Sequence, residues 1–155
     1  MMPVTLQEVT RENWREALEL SVEPQQRHFV ASTVPPVAIA LAKAYVQPLG
    51  WPVIPYAVMA GPMMVGFFNL TYKPGSTDEY WLQHFFIDRR FQRRGYGAAA
   101  LRALMELLRE RYPLCRSLQL TVHRENLPAQ RLYEKVGFVQ TGQLVDREPV
   151  YRLNL

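Results

Sequence analysis

Hydrophobic and polar residues along this chain of 155 residues follow two different periods. In a strand alternate side chains share a face, whereas in a helix apolar residues recur every three or four positions. The strand pattern predicts strands over residues 4–9, 53–60, 63–72, 80–87 and 117–122, with closing strands at Val139 and over 149–153. The helical pattern predicts helices that start after Thr10 and over residues 25–31, 36–46, 97–112 and 128–135.

Residues at the predicted boundaries support this division. Thr10 is expected to cap the first helix, in which Trp14, Ala17 and Leu18 would form the buried stripe, with Ser21 as a further candidate. Gly61-Pro62 is a hairpin turn signal, and Gly137 suits the left-handed position that ends a helix. Strands and helices that alternate in this order predict a mixed α/β fold in a single domain spanning residues 1–155.

Composition and charge narrow the class of protein. Hydrophobic residues at 48% and charged residues at 21% are typical of an ordinary globular domain. The net charge of +4 is unevenly placed, with five basic and eight acidic residues before position 89 and thirteen and six from there on. Arg89, Arg90, Arg93 and Arg94 alone account for the excess. Such local charge predicts one compact basic site and argues against a nucleic-acid binder, whose charge spreads over a face.

Other features bear on location and partners. A single cysteine, Cys115, cannot form an internal disulfide, which favours a reducing compartment. The first residues lack the basic and apolar regions of a signal peptide, and no apolar stretch is long enough to cross a membrane. We therefore expect a cytoplasmic protein. No group of His, Cys, Asp and Glu has metal-ligand spacing, so no metal is expected, and His28 has only the context of a surface histidine.

A glycine-containing loop, residues 92–98, joins the strand over 80–87 to the long helix. Glycines let a backbone approach a ligand closely, and the free N–H groups of a helix start attract anions. This chemistry suits a pyrophosphate. Gly95, Gly97 and Ala100 also fit a dinucleotide pattern, but a charged segment separates them from the strand, and the next strand ends at Val122 without an acidic residue.

The strand residues Phe85-Phe86-Ile87-Asp88, followed by this loop, resemble the acetyl-CoA-binding segment of the GNAT superfamily of N-acetyltransferases, whose loop reads [QR]-x-x-G-x-[GA]. A second motif agrees with the first, because Asn126, Ala129, Tyr133, Gly137 and Phe138 match that family's N-x-x-A-x-x-x-Y-x-x-x-G-F run. The good match covers about residues 79–140. Within the superfamily, Trp81-Leu82 with Phe85-Phe86 looks most like diamine and polyamine acetyltransferases.

The resemblance implies a central, mostly antiparallel mixed sheet whose fourth and fifth strands splay apart, with acetyl-CoA as co-substrate in the opening. It also implies a homodimer and a small-molecule amine as acceptor. From the charge distribution and the short apolar stretches we expect no nucleic acid or membrane partner. The residues that it assigns to the cofactor are Phe85, Ile87, Gln92, Arg93, Arg94, Gly95, Tyr96, Gly97, Ala98, Asn126 and Tyr133.

The resemblance gives Tyr133 the role of the acid that protonates the leaving thiolate. The base is open, because Gln83 stands where the polyamine enzymes usually have a carboxylate, and an amide cannot accept the proton. His84 has a suitable intrinsic pKa but alternates away from Gln83 on the predicted strand. Glu79 and His123 are the other candidates.

The identity of the acceptor also has alternatives. Glu12, Glu16, Glu19 and Glu23 recur at helical spacing and could face a cationic amine, although a solvated helix face is the simpler interpretation. We expect transfer to a primary amine of a small molecule, such as a diamine or polyamine, by direct attack in a ternary complex. The alternatives are a protein amine, an antibiotic or an amino acid as acceptor, or an acyl-CoA-binding module without catalysis.

Overall fold

The structure is a computed structural model that describes residues 3–30 and 35–155. Its strands are β1 (Val4–Glu8), β2 (Val53–Ala60), β3 (Met63–Tyr72), β4 (Tyr80–Ile87), β5 (Ser117–Thr121), β6 (Val139–Val145) and β7 (Glu148–Asn154). Its helices are α1 (Trp14–Leu18), α2 (Arg27–Val30), α3 (Pro36–Val46), α4 (Tyr96–Arg111) and α5 (Leu127–Val136). Short 3₁₀ turns precede α2 at Pro24–Gln26 and α4 at Arg89–Phe91.

The strands form one mixed sheet in the order β1-β2-β3-β4-β5-β7-β6. Neighbouring strands are antiparallel except β4 and β5, which run parallel. This is the GNAT fold that the two motifs imply, and it confirms the expected fold class.

Hydrophobic side chains pack on both faces of the sheet. On one face Leu101, Leu104 and Leu108 of α4 are almost fully buried against the strands. On the other face Ala40 of α3 packs in a second cluster. Phe67 and Phe68 follow each other on β3 and belong to different clusters, as the alternation of a strand requires. The helices thus enclose the first part of the sheet and position the loops at the ends of β4 and β5.

The N-terminal region differs from its predicted form. Helix α1 starts at Trp14 with Asn13 at the N-cap, so Thr10 is not the cap that we expected. Trp14 is 40% exposed, while Leu20, beyond the helix end, is buried in its place. Ala17 is fully buried and Leu18 packs against the same cluster, as predicted, whereas Trp14 is not part of that cluster. The predicted turn over residues 25–31 forms as the 3₁₀ turn and α2, except that Ala31 lies outside the described residues.

Candidate active site

The candidate site lies where β4 and β5 separate. The two strands are in register at Trp81 and Gln119, near the start of β4 and the middle of β5. Beyond this pair the strands diverge, so backbone groups in the second half of β4 have no β5 partner. Unpaired buried backbone groups are costly unless a ligand uses them. The opening therefore suits a ligand that makes strand-like hydrogen bonds.

A β-bulge lies in β4 at this opening. Phe67 pairs with Phe86 and Asn69 with Gln83, so the single residue Phe68 stands opposite two residues of β4. His84 is one of these two residues, and its φ of 55° lies in the left-handed region, which is strained for a residue with a side chain. The bulge breaks the strict alternation that we assumed, and Gln83 and His84 line the same cavity. The expectation that His84 faces away from Gln83 is therefore wrong.

One cavity, the donor groove, has a volume of about 410 Å³ and runs from the start of α4 to α5. It reaches from the loop before α4 to the end of β4. Ten of the eleven predicted cofactor residues line it, all except Arg94. They are Phe85, Ile87, Gln92, Arg93, Gly95, Tyr96, Gly97, Ala98, Asn126 and Tyr133.

The start of α4 presents free backbone donors to the donor groove. Gly95 is the N-cap, and its φ of 86° needs a residue without a side chain. The N–H of Ala99 bonds to the carbonyl of Gly95 at 3.1 Å and is one of the first bonds inside the helix. The N–H groups of the preceding three residues have no helical partner, as at any helix start. Together with the helix dipole they fit a pyrophosphate.

Gly97 has a packing role besides its place in the loop. A Cβ at this position would lie 2.9 Å from Cδ2 of Leu132, a contact that real Cβ atoms do not make. The missing side chain leaves room for the end of the Leu132 side chain of α5 beside the start of α4. The glycine that we assigned to ligand approach thus also lies at the contact between the two helices.

The four clustered arginines have different surroundings. Arg93 lines the donor groove, and the guanidinium of Arg94 lies 5.9 Å from the centre of the Phe91 ring. Arg90 forms an ion pair with Asp88 at 2.8 Å. Arg89 is exposed. The four arginines therefore do not act as one patch. Arg93 adds positive charge to the donor groove, whereas the charge of Arg90 is paired within the turn before α4.

Asp88 anchors this turn. Its carboxylate is 1% exposed and accepts hydrogen bonds from the backbone N–H of Ser21 at 3.0 Å and of Arg90 at 2.9 Å. Burial favours the neutral acid, but these bonds and the Arg90 guanidinium outweigh it and hold the pKa of Asp88 below its usual value. Gln92 adds a second tie, because its amide donates to the carbonyl of Ile87 at 2.9 Å.

A second cavity, the acceptor cavity, has a volume of about 440 Å³ and lies on the other side of Tyr133. Its wall contains one cationic side chain, Lys43 of α3. It also contains two carboxylates, Asp146 and Glu148, at the turn between β6 and β7. None of these three was a predicted site residue. The turn reaches the cavity only because β7 lies next to β5 in the sheet, which spacing along the chain does not reveal.

The two cavities meet at a small set of residues. Those that line both are Phe29, Phe85, Asn126, Ala129 and Tyr133. Tyr133 is 7% exposed, and its hydroxyl makes no hydrogen bond with any residue that the structure describes. Burial raises the pKa of Tyr133 above its usual value, which keeps the phenol protonated. A protonated donor thus stands between the two cavities.

Asn126 has a local structural role at this junction. It is the N-cap of α5, and its side-chain oxygen accepts the backbone N–H of Ala129 at 3.3 Å. The capping bond fixes the start of the helix that carries Tyr133. The residue that we assigned to the cofactor therefore also positions the predicted acid.

The candidate bases differ in their surroundings. Burial, with a smaller contribution from Lys43, lowers the pKa of His84 to about 4. Glu79 accepts the indole N–H of Trp81 at 3.0 Å and does not line the acceptor cavity. His123 lines the cavity at the end of β5. Among the described residues, His84 and His123 are thus the histidines that line the acceptor cavity.

The glutamates of the first helical segment lie away from the acceptor cavity. Glu12, Glu16 and Glu19 are exposed, and Glu23 caps the 3₁₀ turn before α2. None of the four lines either cavity. The simpler interpretation of a solvated face therefore describes this segment better than a substrate contact does.

The donor groove begins at a helix start with free N–H groups and meets a separate cavity at Tyr133. This arrangement is compatible with a transferase that binds a phosphate-bearing donor beside an acceptor. The described residues fit coenzyme A, since the opening beside β4 offers free backbone groups and Arg93 stands beside the free N–H groups of α4.

Comparison with known proteins gives the family. The model of the Acetyltransferase (GNAT) family matches residues 12–138, and the chain belongs to this family. A spermine/spermidine N(1)-acetyltransferase of Bacillus subtilis (strain 168) is 32% identical over 143 residues, which are 92% of each chain. The protein is therefore an acetyl-CoA-dependent N-acetyltransferase.

Solved structures share the fold. An aminoglycoside acetyltransferase in complex with coenzyme A superposes with a TM-score of 0.78 at 22% identity, over 97% of this chain and 94% of that one. A spermidine N-acetyltransferase from Vibrio cholerae in complex with CoA and spermine has a TM-score of 0.73 at 17% identity, over 98% and 94% of the two chains. At this identity the likeness concerns the fold.

Proposed function

We propose that this enzyme transfers the acetyl group of acetyl-CoA to a primary amine of a diamine or polyamine, by direct attack in a ternary complex. The observation that carries the proposal is the pair of cavities that meet at Tyr133. Two separate cavities allow donor and acceptor to be bound at the same time. The similarity to a spermine/spermidine acetyltransferase supports the class of acceptor.

The charges of the acceptor cavity favour a molecule with more than one ammonium group. Asp146 and Glu148 form a negative end at the β6–β7 turn, where a distal ammonium would find charge-assisted hydrogen bonds. Lys43 supplies a positive side chain at the α3 wall. It would repel a cation there and so direct a polycationic chain toward the carboxylates.

Tyr133 is proposed as the acid of the reaction. Attack by the amine nitrogen forms the new C–N bond, and collapse of the tetrahedral intermediate breaks the C–S bond. The thiolate that leaves takes the phenolic proton, and the phenolate regains a proton from solvent. Its position at the junction of the cavities supports this role. Its raised pKa keeps the proton in place until the thiolate leaves, although it also makes the phenol a weaker acid.

His84 is proposed to receive the proton that the attacking amine loses. Burial keeps the imidazole neutral at pH 7, so that a ring nitrogen can accept a proton. A pKa of about 4 makes it a weak base, and we therefore expect it to pass the proton on to water in the cavity. Gln83 lines the same cavity and is proposed to orient that water through its amide.

The assembly and location of the enzyme are also proposals. We propose a single-domain cytoplasmic enzyme that acts as a homodimer, with no metal in its reaction.

Cys115 bears on the compartment. Its thiol is free and buried, and burial raises the pKa of the thiol to about 11. A free thiol is consistent with a reducing compartment. In the part of the chain that the structure describes, no helix is long and apolar enough to cross a membrane. Light scattering coupled to size exclusion tests the dimer.

The test of the activity is a thiol-release assay with acetyl-CoA and a panel of acceptors. Turnover with spermidine, spermine or putrescine well above that with simple monoamines supports the proposal. Turnover only with an aminoglycoside, an amino acid or a peptide amine would replace the acceptor class. Saturable binding of acetyl-CoA without turnover on any amine would indicate a binding module and overturn the proposal.

A further inference from the structure

We propose that His28, His123 and Glu125 bind one divalent transition-metal ion of the zinc type at the rim of the acceptor cavity. One potential ligand atom from each residue lies within 4.8 Å of those of the other two. Such a spacing allows the three atoms to converge on a single ion after small side-chain rotations.

The three residues come from separate parts of the chain. His28 belongs to α2, whereas His123 follows β5 and Glu125 lies in the loop before α5. The two imidazole rings stand edge to face, with centroids 5.4 Å apart. Because the histidines are far apart in sequence, no ligand spacing could have indicated this cluster.

The kinds of ligand select the kind of ion. Two imidazoles and one carboxylate suit zinc, cobalt, nickel or copper, whereas calcium and magnesium prefer oxygen ligands. His28 and Glu125 are exposed, so water can complete a tetrahedral shell. The site is thus expected to take an ion from solution without any rearrangement of the core.

The surroundings of the two histidines leave them available to an ion. Neither forms an ion pair with a residue that the structure describes. Nδ1 of His123 accepts the backbone N–H of Glu125 at 3.1 Å, and an ion that binds this nitrogen replaces that one hydrogen bond. The ring of Phe29 lies 5.1 Å from that of His123 and supplies an apolar support on one side.

The position of the cluster gives a bound ion a structural consequence. Phe29 and Asn126, which adjoin His28 and Glu125 in sequence, line both the donor groove and the acceptor cavity. An ion held by the cluster connects α2 to the loop before α5 at the point where the cavities meet. We therefore expect it to stabilise the folded chain as well as to bind.

The experiment measures zinc binding to the purified, tag-free chain by competition with a chromogenic chelator, in the absence of amine and acetyl-CoA. One equivalent is expected to bind the wild type. His28→Asn and His123→Asn are each expected to weaken binding at least about tenfold. His84→Asn, which alters the remaining one of the three histidines, is the matched control and should bind like the wild type.

Two further readouts separate coordination from nonspecific binding. The d–d absorption of bound Co²⁺ should indicate a tetrahedral site in the wild type and be lost in His28→Asn. Zinc should also raise the midpoint of thermal unfolding of the wild type but not of that variant. Absence of saturable binding, or equal zinc affinity in all four proteins, would overturn the proposal. None of these readouts depends on acetyl transfer.

Discussion

Trp81 of β4 and Gln119 of β5 lie side by side in parallel register, and beyond this pair the two strands separate. Side chains tie the paired ends together. The indole N–H of Trp81 donates to Glu79 at 3.0 Å, and the amide of Gln119 donates to the carbonyl of Asp78 at 2.7 Å. Arg152 of β7 donates to the oxygen of Gln119 at 3.1 Å. These bonds hold β4 and β5 together at the paired position. They thus determine where the two strands begin to separate and where the candidate active site begins.

Tyr133→Phe tests the proposed acid. Removal of the phenolic proton donor should lower kcat by roughly 10²-fold, the scale of general acid catalysis, with little change in the KM for acetyl-CoA. Thiol release under saturating substrates measures kcat. Tyr45→Phe is the matched control, because Tyr45 is 91% exposed and lines neither cavity. A kcat that is unchanged in Tyr133→Phe would remove this residue from the mechanism.

Glu148→Gln and Asp146→Asn test the negative end of the acceptor cavity. Each change removes a charge that would meet the distal ammonium, so the KM for a diamine should rise about fivefold, which corresponds to about 1 kcal/mol. The KM for a monoamine of similar length should stay nearly constant. Glu110→Gln on the exposed side of α4 is the control. An equal change in the KM for both amines would show that these carboxylates do not bind the second ammonium group of the diamine.

His84→Gln tests burial of the neutral imidazole through the pH dependence of stability. The pKa of His84 is lowered to about 4 in the folded chain, against roughly 6.5 when unfolded. Between these values the unfolded chain binds the extra proton, so the free energy of unfolding falls as the pH falls. Since each tenfold change in proton affinity corresponds to about 1.4 kcal/mol, the loss due to His84 should approach about 3 kcal/mol once the pH falls below the folded-state pKa.

Urea denaturation of the wild type and of His84→Gln over this pH range measures the effect. Subtraction of the two curves removes the contribution of the carboxyl groups that titrate in the same range. The variant should show the flatter dependence. Parallel curves would mean that His84 is well solvated in the folded protein.

Asp88→Asn tests the anchor of the turn before α4. The variant loses the ion pair with Arg90 and weakens the bond from the Ser21 N–H, which should destabilise the fold by about 1–3 kcal/mol at neutral pH. Because the pKa of Asp88 is lowered in the folded state, its contribution is present above the unfolded pKa and is lost as the pH falls through the folded value. The stabilities of wild type and variant should therefore converge in acid.

The matched control for Asp88→Asn is Glu12→Gln. Glu12 also pairs with an arginine at 2.9 Å, but both side chains are largely exposed. Exposed pairs contribute little, so this variant should be nearly as stable as the wild type. Urea denaturation measures the free energy of unfolding of both variants. An equal loss in Asp88→Asn and Glu12→Gln would show that burial does not strengthen the contribution of Asp88.

The elements that were predicted well have strong local signals. The long helix α4 shows an apolar stripe through Leu101, Leu104 and Leu108, all buried as expected. Gly137 ends α5 with a φ of 118°, as a residue without a side chain allows. The short helix α1 was predicted correctly at Ala17 and Leu18, but its cap and Trp14 were wrong. Five residues carry little periodicity, and Leu20, beyond the helix end, is buried whereas Trp14 is exposed.

The sequence by itself determined the family, the glycine-containing loop before α4 and the order of strands and helices, because these depend on neighbouring residues and on motifs of short range. Tertiary structure alone decided the shape of the acceptor cavity. The bulge at His84 brings it to the same cavity as Gln83, and the pairing of β5 with β7 brings Asp146 and Glu148 there. Strand pairing joins residues distant in the chain, and the energy that selects a register comes from packing across the whole sheet.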